Sequence, residues 1–468
     1  MQKAIVSTLI IFNTVLIAQT NVSGVISSNT TWSTSGSPYN LTGTVQVAYG
    51  STITIDPGVT VNGNGNTLEI FGKLSAVGSS SSYVIFDNVD MASGVNTSSE
   101  PYEIVIQYLK QYGGGMHKST GSNSTGSFSL KDSELYGVNN SSLVDGAINT
   151  WGYGMSIESS STADIERNIF HNSNHIRCKA STINIKNNVF YYTKPIIATN
   201  SGAPGAGAVA GYFSPYPTVE YNSFLNTDRI AVGLYIGLTN GITATNNYWS
   251  TTDEEVIKSM ILDKDDDLNA NSVIPYSPWL TEPHSDTPSR DTTPPTGSVN
   301  DGTGGDISAI SVVNSLSANW SFSDSQSGIQ YYEYAFGSSA GGTDIVGWTN
   351  IGTSTSVTVS ELTLSEKTTY YASVRATDYA DNSVIISSNG VTTPDLTPPS
   401  SFDLVYPFND TTIVLARDNF LDTLYFAWNQ SIATDGDKIT YRRELTGDLP
   451  SYIRFIVTSD KDSTTNMY

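Results

Sequence analysis

The sequence predicts an all-β chain in which a solenoid of short stacked strands precedes one or more β-sandwich modules. Three observations support this prediction. Apolar and polar residues alternate in short bursts from residue 41 onwards, the bursts recur with a period in the low twenties, and the segment Asp291–Pro295 returns as Asp395–Pro399. Only 14 % of residues are charged, and Gly, Ser, Thr and Asn are abundant, which favours strands and turns over helices.

The first 20 residues have the features of a signal peptide. Lys3 supplies a short positive region, and Ala4–Ala18 is a largely apolar run that is short for a membrane span. No later run is long and apolar enough to cross a bilayer. We therefore expect an exported protein, secreted or displayed at the cell surface, without a transmembrane span.

The charge balance excludes two classes of partner. The net charge is −22, from 44 acidic against 22 basic residues. Such a field repels nucleic acid and anionic lipid headgroups, so neither is expected to bind.

Residues 24–283 carry the repeating pattern of the solenoid. Val45 corresponds to Leu68 after 23 residues, and Ile53 corresponds to Leu74 after 21. One turn of such a repeat cannot bury its own apolar face, so neighbouring turns must stack and align their aliphatic side chains.

Asparagine marks the turns of the later repeats. An Asn-x-aromatic motif begins at Asn168, Asn188, Asn222 and Asn247. Asparagine tolerates left-handed backbone geometry, and its side chain is able to hydrogen-bond along a stack of turns. The wider spacing before Asn222 contains residues 201–217, a Gly/Ala/Pro-rich stretch that we interpret as a loop leaving one repeat.

Residues 252–263 interrupt the strand pattern with an amphipathic helix. Thr252 and Glu255 have the spacing of a capping box, and apolar residues follow on one helical face. A helix at this position would cover the open end of the solenoid, where strand edges are otherwise unpaired.

The two ends of this region resemble a known group. Thr31–Trp32 and Gly50–Val59 resemble the first coils of bacterial right-handed parallel β-helix proteins. Asn246–Trp249 and Pro278–Leu280 resemble the closing element of the same group. The resemblance covers residues 24–283. It implies a right-handed parallel β-helix with a C-terminal helical cap near 252–263, in a bacterial exported protein.

Paired prolines mark the later boundaries. The motif Asp-x-Thr-Pro-Pro begins at Asp291 and again at Asp395, 104 residues later, and this distance suits one β-sandwich. We assign 284–295 to a linker, 296–394 to a sandwich and 397–468 to a second sandwich-like module. Its 72 residues are few for seven strands, so we expect this module to be incomplete.

The first sandwich resembles fibronectin type III domains. Trp320 lies in an alternating strand, and Leu364 precedes Tyr370 by six residues, as a leucine precedes the core tyrosine of a late strand in that family. Residues 324–329 and 378–383 are similar to loops of its bacterial versions. The resemblance implies a fibronectin type III or Ig-like β-sandwich with a core containing Trp320 and Tyr370.

Motifs for catalysis are weak on the solenoid. Residues 226–228 match part of a polygalacturonase motif, but the other motifs of that family are missing. We interpret residues 191–194, which contain a lysine that a lyase could use as a base, as a turn with a solvated lysine. His171, His175 and Cys178 are spaced by four and three residues, which does not bring ligands together on strands. We interpret them as turn histidines and a buried cysteine, and this single cysteine leaves the chain without an internal disulfide.

The densest acidic cluster follows the predicted helix. Calcium prefers oxygen-rich loops, so Asp263, Asp265 and Asp267 are candidates for a structural calcium ion. The EF-hand pattern fails because Leu268 stands where its glycine belongs. A solvated acidic cap is the alternative that we favour, and no other cofactor is expected.

The sequence leaves two functions open. We favour a non-catalytic secreted or surface protein in which a rigid β-helix and sandwich modules serve adhesion or the binding of a polysaccharide or surface protein. The alternative is a carbohydrate-active enzyme, a polysaccharide lyase or glycoside hydrolase with accessory sandwich domains. Convergence of carboxylates, or of Lys, Arg and Tyr, in one groove would favour the enzyme. No catalytic residue is assigned.

Overall fold

The computed structural model is nearly all β, with 49 % strand and 3 % helix, which confirms the predicted fold class at this level. The residues that it describes are 19–93, 100–119, 125–138, 153–173, 175–191, 209–211, 217–228, 230–234, 242–266, 268, 272–397, 404–406 and 427–428. Residues 1–18 of the predicted signal peptide, most of the 201–217 loop and nearly all of the 397–468 module lie outside the described residues.

The chain divides into two compact units. The first comprises Met1–Thr296, Phe322–Tyr331 and Ala376–Val384. The second comprises Gly297–Ser321, Tyr332–Arg375 and Ile385–Tyr468.

In the first unit, 23 strands are joined in one sheet by parallel pairings. They are β1 (Thr20–Ile26), β2 (Thr30–Trp32), β3 (Tyr39–Val47), β4 (Thr52–Ile55), β5 (Thr60–Asn62), β6 (Thr67–Ile70), β7 (Lys73–Val77), β8 (Val84–Asp87), β9 (Asp90–Ser93), β10 (Tyr102–Gln107), β11 (Leu109–Tyr112), β12 (His117–Ser119), β13 (Gly126–Lys131), β14 (Glu134–Tyr136), β15 (Tyr153–Glu166), β16 (Ile169–His171), β17 (His175–Lys186), β18 (Val189–Tyr191), β19 (Val209–Gly211), β20 (Thr218–Glu220), β21 (Ser223–Phe224), β22 (Val232–Leu234) and β23 (Ile261–Leu262).

The pairings arrange these strands in three rows. The first row is β2-β4-β7-β10-β13-β15-β17-β20. The second row is β3-β5-β8-β11-β14-β16-β18-β21. The third row is β1-β3-β6-β9-β12-β15-β17-β19-β22-β23. The predicted correspondences are confirmed, because Val45 is in register with Leu68 and Ile53 with Leu74.

Alternation along each strand decides which side chains reach the core. In β4, Ile53 and Ile55 are buried while the threonines beside them are only partly covered, and β6 repeats this with Leu68 and Ile70. Aligned positions in successive strands therefore build one hydrophobic core through the unit. Each fully buried aliphatic side chain contributes about 1.5–3 kcal/mol through the loss of contact with water.

Aromatic rings form a stack in the later part of this core. Phe170 lies 4.9 Å from Phe190, Phe190 lies 5.2 Å from Phe224, and Phe224 lies 4.9 Å from Trp249, as measured between ring centroids. The rings are near parallel, and each belongs to one of the Asn-x-aromatic motifs.

The four asparagines that open these motifs form a buried hydrogen-bonded ladder. The Nδ2 of Asn168 donates to Oδ1 of Asn188, Asn188 donates in the same way to Asn222, and Asn222 to Asn247, each at 3.0 Å. The predicted stacking is confirmed. The left-handed residues, however, are those just before the ladder, Arg167, Asn187, Tyr221 and Asn246, with φ of 55°, 56°, 61° and 59°. The ladder asparagines use their amides to bond neighbouring backbone groups, while the preceding residue makes the bend.

A short helix, α1 (Glu254–Ser259), follows the last motif. Its N-cap is Asp253, whose side chain accepts from the backbone N of Glu255, so the capping box predicted from Thr252 is wrong by one position. Aspartate is among the strongest N-cap residues, which accounts for the shift. Ile257 is fully buried, and across the described residues no helix has the length and apolar character to span a bilayer.

The remaining strands are β24 (Thr296–Asp301), β25 (Leu316–Ser323), β26 (Ile329–Gly337), β27 (Val346–Gly352), β28 (Ser356–Val359), β29 (Thr369–Asp378), β30 (Ser383–Ser387), β31 (Val391–Thr392), β32 (Leu404–Tyr406) and β33 (Ala427–Trp428). They form a three-stranded sheet, β24-β25-β28, a five-stranded sheet, β27-β26-β29-β30 with β31 on β29, and an isolated pair, β32-β33. The pairings β25-β28, β26-β27, β29-β31 and β32-β33 are antiparallel.

The core of the second unit contains the aromatic residues that the sequence singled out. Trp320 is buried and lies 5.8 Å from the ring of Tyr332 in an edge-on arrangement. Leu364 and Tyr370 are both buried, and the hydroxyl of Tyr370 accepts a hydrogen bond from the backbone N of Ser365 at 2.9 Å.

Candidate functional site

The acidic cluster after α1 is used by the local backbone. Asp263 is 4 % exposed, its Oδ1 accepts from the N of Asp265 at 2.9 Å, and its Oδ2 accepts from the N of Ile274 at 2.7 Å. Asp265 is exposed, and Asp267 lies outside the described residues. Asp263 therefore organises a turn, while the calcium site predicted at Asp263, Asp265 and Asp267 stays a prediction.

Cys178 and His171 lie in different rows of strands. Cys178 is buried in β17, and its burial raises the thiol pKa to about 12, so it is protonated at neutral pH. His171 is fully buried at the end of β16, with Nε2 at 3.1 Å from Oδ2 of Asp381. A thiol with a raised pKa is a poor nucleophile, which agrees with the expectation of a buried structural cysteine.

Where the structure describes them, the other sequence motifs bring no catalytic set together. Thr227 and Asp228 of the 226–228 segment are exposed. Tyr191 ends β18, and the rest of the 191–194 segment lies outside the described residues.

A lysine, a glutamate and several tyrosines do converge on the outward side of the second row. Lys110 of β11 is in register with Glu134 of β14, and its Nζ lies 3.2 Å from Oε2 of Glu134. The same Nζ lies 4.8 Å from the ring centroid of Tyr83 and donates to the carbonyl oxygen of Gln326. The rings of Tyr112 and Tyr136 stack at 5.6 Å next to this pair.

The electrostatics of this lysine-tyrosine cluster oppose proton abstraction. Burial, followed by the charge of Glu134, raises the pKa of Tyr83 to about 12 and raises the pKa values of Tyr112 and Tyr136 further. A lyase base needs a pKa near the working pH, so these phenols are tuned in the wrong direction. Lys110 forms an ion pair with Glu134, so the charged groups of this cluster already have partners within the protein.

Other outward charges also occur in pairs between neighbouring strands. Lys131 lies 3.1 Å from Glu166, and Lys186 lies 3.3 Å from Glu220. Burial alone would raise the pKa of Asp132, but hydrogen bonds from Arg167 and Gln107 outweigh it and lower that pKa. Carboxylates held by cations in this way are poor general acids, because hydrolysis needs one protonated carboxyl group.

Three aspartates that sequence reasoning did not combine lie together in the first unit. Asp291, Asp324 and Asp378 each place a carboxylate oxygen within 4.8 Å of the other two. Asp291 precedes β24, Asp324 directly follows β25, and Asp378 is the last residue of β29. We call this set the aspartate cluster.

The aspartate cluster is partly buried and electrostatically crowded. Asp291 is 4 % exposed, and Asp378 is fully buried. Burial, with additional repulsion from Asp291 and Asp324, raises the pKa of Asp378 despite hydrogen bonds from Asn382. The sequence held a signal for this set, because all three residues begin segments singled out for other reasons: the proline-rich boundary and the two loops similar to fibronectin type III loops.

Exposed aromatic surface occurs on the first unit at Tyr49. Its side chain is 45 % exposed, and its ring lies 5.3 Å from that of Phe71 in an edge-on arrangement. Tyr49 follows β3 and Phe71 follows β6, which are neighbours in the third row, so the two rings lie at the same corner of successive repeats.

Comparisons with protein-family models, with curated proteins and with solved structures returned no match, so the interpretation of these sites depends on their own chemistry.

Proposed function

We propose that the three rows of the first unit are the faces of a right-handed parallel β-helix. Support comes from their parallel pairings, from the order in which the chain visits the rows, and from the helix α1 that follows the last motif. The antiparallel sheets around Trp320 and Tyr370 support a fibronectin type III-like sandwich. The proposal includes export by residues 1–20 and the boundaries 24–283, 284–295, 296–394 and 397–468.

We further propose that the protein is a non-catalytic bacterial surface or secreted protein that binds a polysaccharide or a surface protein. The observation that carries this proposal is the mutual pairing of outward charges, of which Lys110 with Glu134 is the most buried. A catalytic groove needs ionisable groups that are free to exchange protons with a substrate. The ion-paired groups of this protein instead neutralise one another between neighbouring strands and stabilise the stack.

The corner formed by Tyr49 and Phe71 is the surface that suits a sugar best. An exposed aromatic ring offers a flat apolar face, and the apolar C–H face of a sugar packs against such a ring. The net charge of −22 opposes polyanionic glycans, so a neutral polysaccharide is the favoured ligand.

A binding and turnover experiment tests this function. The full chain is presented with immobilised neutral polysaccharides, and both retention and the release of reducing ends or unsaturated sugars are measured. We expect retention without release, and Tyr49→Ala should weaken retention about fivefold or more if the ring is an anchor. Val25→Ala, which alters another exposed side chain of the same unit (62 % exposed), is the matched control and should bind normally.

The enzyme hypothesis has an equally specific outcome. Sugar release that is lost in Glu134→Gln, in a variant that keeps its fold, would assign catalysis to the lysine-tyrosine cluster and would refute the non-catalytic proposal. Retention that is unchanged in Tyr49→Ala would remove the Tyr49 corner as the binding surface.

A further inference from the structure

We propose that the aspartate cluster, Asp291, Asp324 and Asp378, is a binding site for a divalent cation and that calcium is its natural ion. This site is separate from the acidic cap after α1, and it does not depend on the glycan-binding proposal.

The first observation is geometric. Three carboxylates from three separate segments place oxygens within 4.8 Å of one another, a spacing that one cation would bridge. Within the described parts of the chain, none of the three forms a salt bridge with lysine or arginine. Arg290, next to Asp291 in sequence, donates instead to the carbonyl oxygen of Ala380. No cationic side chain among the described residues therefore neutralises these three negative charges.

The second observation is an unsatisfied buried atom. The Oδ1 of Asp291 accepts from the N of Thr293 at 2.8 Å, whereas its Oδ2 is buried and has no hydrogen-bond partner. A buried carboxylate oxygen without a donor is costly, and such atoms in native proteins call for an explanation, for example an ion. A cation among the three carboxylates supplies that partner.

The other two carboxylates are held in place by their own loops. The Oδ1 of Asp324 accepts from the backbone N atoms of Gln326, Ser327 and Gly328 at 2.7–3.0 Å. Asp378 accepts from the backbone and side chain of Asn382 at 2.8 and 3.0 Å. The ligands are thus fixed before the ion arrives, which lowers the entropic cost of binding.

The donor chemistry selects the ion. All three side-chain ligands are carboxylates, whose oxygens suit hard cations. Zinc sites, by contrast, are built mainly from Cys and His. Calcium accepts irregular geometry and a variable number of oxygens, whereas magnesium demands a near-ideal octahedron. A dissociation constant on the order of 10⁻⁴ M is expected, as for calcium-binding extracellular modules.

Bound calcium would connect the segment before β24 with the loops that follow β25 and β29. Such a link converts three mutually repelling carboxylates into a cross-link whose strength depends on the calcium concentration outside the cell. Calcium loading would then stiffen this part of the chain without any change in sequence or covalent structure.

The test uses the full chain freed of metal by a chelator and then titrated calorimetrically with CaCl₂. We expect one site that is lost, or weakened at least tenfold, in Asp291→Asn and in Asp378→Asn. Asp265→Asn is the control, because Asp265 is an exposed aspartate of the acidic cap and should leave this binding unchanged. At about 100 times the dissociation constant, calcium should raise the Tm of the first unit by about 4 °C in the wild type and not in Asp378→Asn.

Two results would overturn the proposal. One is the absence of calcium binding up to about 10 mM calcium, a concentration ten times the largest dissociation constant of extracellular calcium modules. The other is binding that survives both cluster substitutions and is lost in Asp265→Asn, which would place the ion in the acidic cap. Misfolding does not blur the test, because Asp378→Asn in chelator removes a repulsive charge and should melt no lower than the wild type without metal.

Discussion

Asn188 is the position where one substitution tests the buried ladder most directly. Its amide Nδ2 donates to the carbonyl oxygens of Ile165 and Lys186 at 2.9 and 3.0 Å and to Oδ1 of Asn222 at 3.0 Å. Its Oδ1 accepts from the backbone N and from Nδ2 of Asn168 at 2.9 and 3.0 Å. Asn188→Ala removes all of these bonds at a fully buried position.

The expected loss of stability follows from the groups left behind. The carbonyl oxygen of Lys186 keeps a hydrogen bond from the backbone N of Arg167, and Oδ1 of Asn222 keeps one from the backbone N of residue 188. The backbone N–H of Asn168 and the carbonyl oxygen of Ile165 lose the side chain that they bond inside the protein. A buried group without a partner costs about 1–3 kcal/mol, so two such groups give a loss of about 2–6 kcal/mol in the free energy of unfolding. This is a large fraction of the stability of an ordinary domain.

The assay is denaturant unfolding followed by circular dichroism, with the midpoint shift converted at a common m value. Asn184→Ala, in β17 just before the turn that carries Asn188, is the matched control, because its amide makes one exposed hydrogen bond, to Asp164 at 2.8 Å. That control should change the free energy by no more than about 0.5 kcal/mol. If Asn188→Ala unfolds at the same midpoint as Asn184→Ala, the reasoning about the ladder is wrong.

Three further predictions concern single side chains. Phe190→Ala should cost about 3–5 kcal/mol by the same unfolding assay, since Phe190 is 1 % exposed and lies between two stacked rings, and Phe190→Leu should cost less. Because burial raises the pKa of Cys178 to about 12, a thiol reagent at pH 8 should react with the native chain far more slowly than with the unfolded chain; equal rates would contradict that burial. Without metal, Asp378→Asn should be more stable than the wild type at pH 7, because the folded-state pKa of Asp378 is raised above 3.8 and the wild type therefore loses stability as the pH rises from 3.8 through that raised pKa. The stability advantage of the variant should disappear as the pH falls to 3.8. An advantage that persists below pH 3.8 would show that the raised pKa is not its cause.

The strand registers were readable from the sequence because they depend on a periodic pattern. A strand whose alternate residues are apolar is fixed by the face that it buries, and a slip of one residue would expose that face. The pairings of Val45 with Leu68 and of Phe170 with Phe190 follow directly from such patterns. The Asn-x-aromatic motif predicted the ladder for the same reason.

Two details that the sequence did not reveal have different physical causes. The position of the helix cap was decided by competition between Thr252 and Asp253, which a spacing rule does not resolve. The aspartate cluster draws its three members from segments up to 87 residues apart, and no local pattern marks them as neighbours. Each aspartate alone has the ordinary sequence context of a turn.

The ladder tolerates very different lengths of chain between its rungs. Asn168 and Asn188 are 20 residues apart, Asn188 and Asn222 are 34 apart, and the amide-to-amide distance is 3.0 Å in both cases. A difference of 14 residues between two rungs is therefore compatible with the same hydrogen bond in the interior. Segments inserted between two rungs, whether by evolution or to display a foreign epitope, would therefore change the surface of the protein while keeping the buried ladder and its contribution to stability.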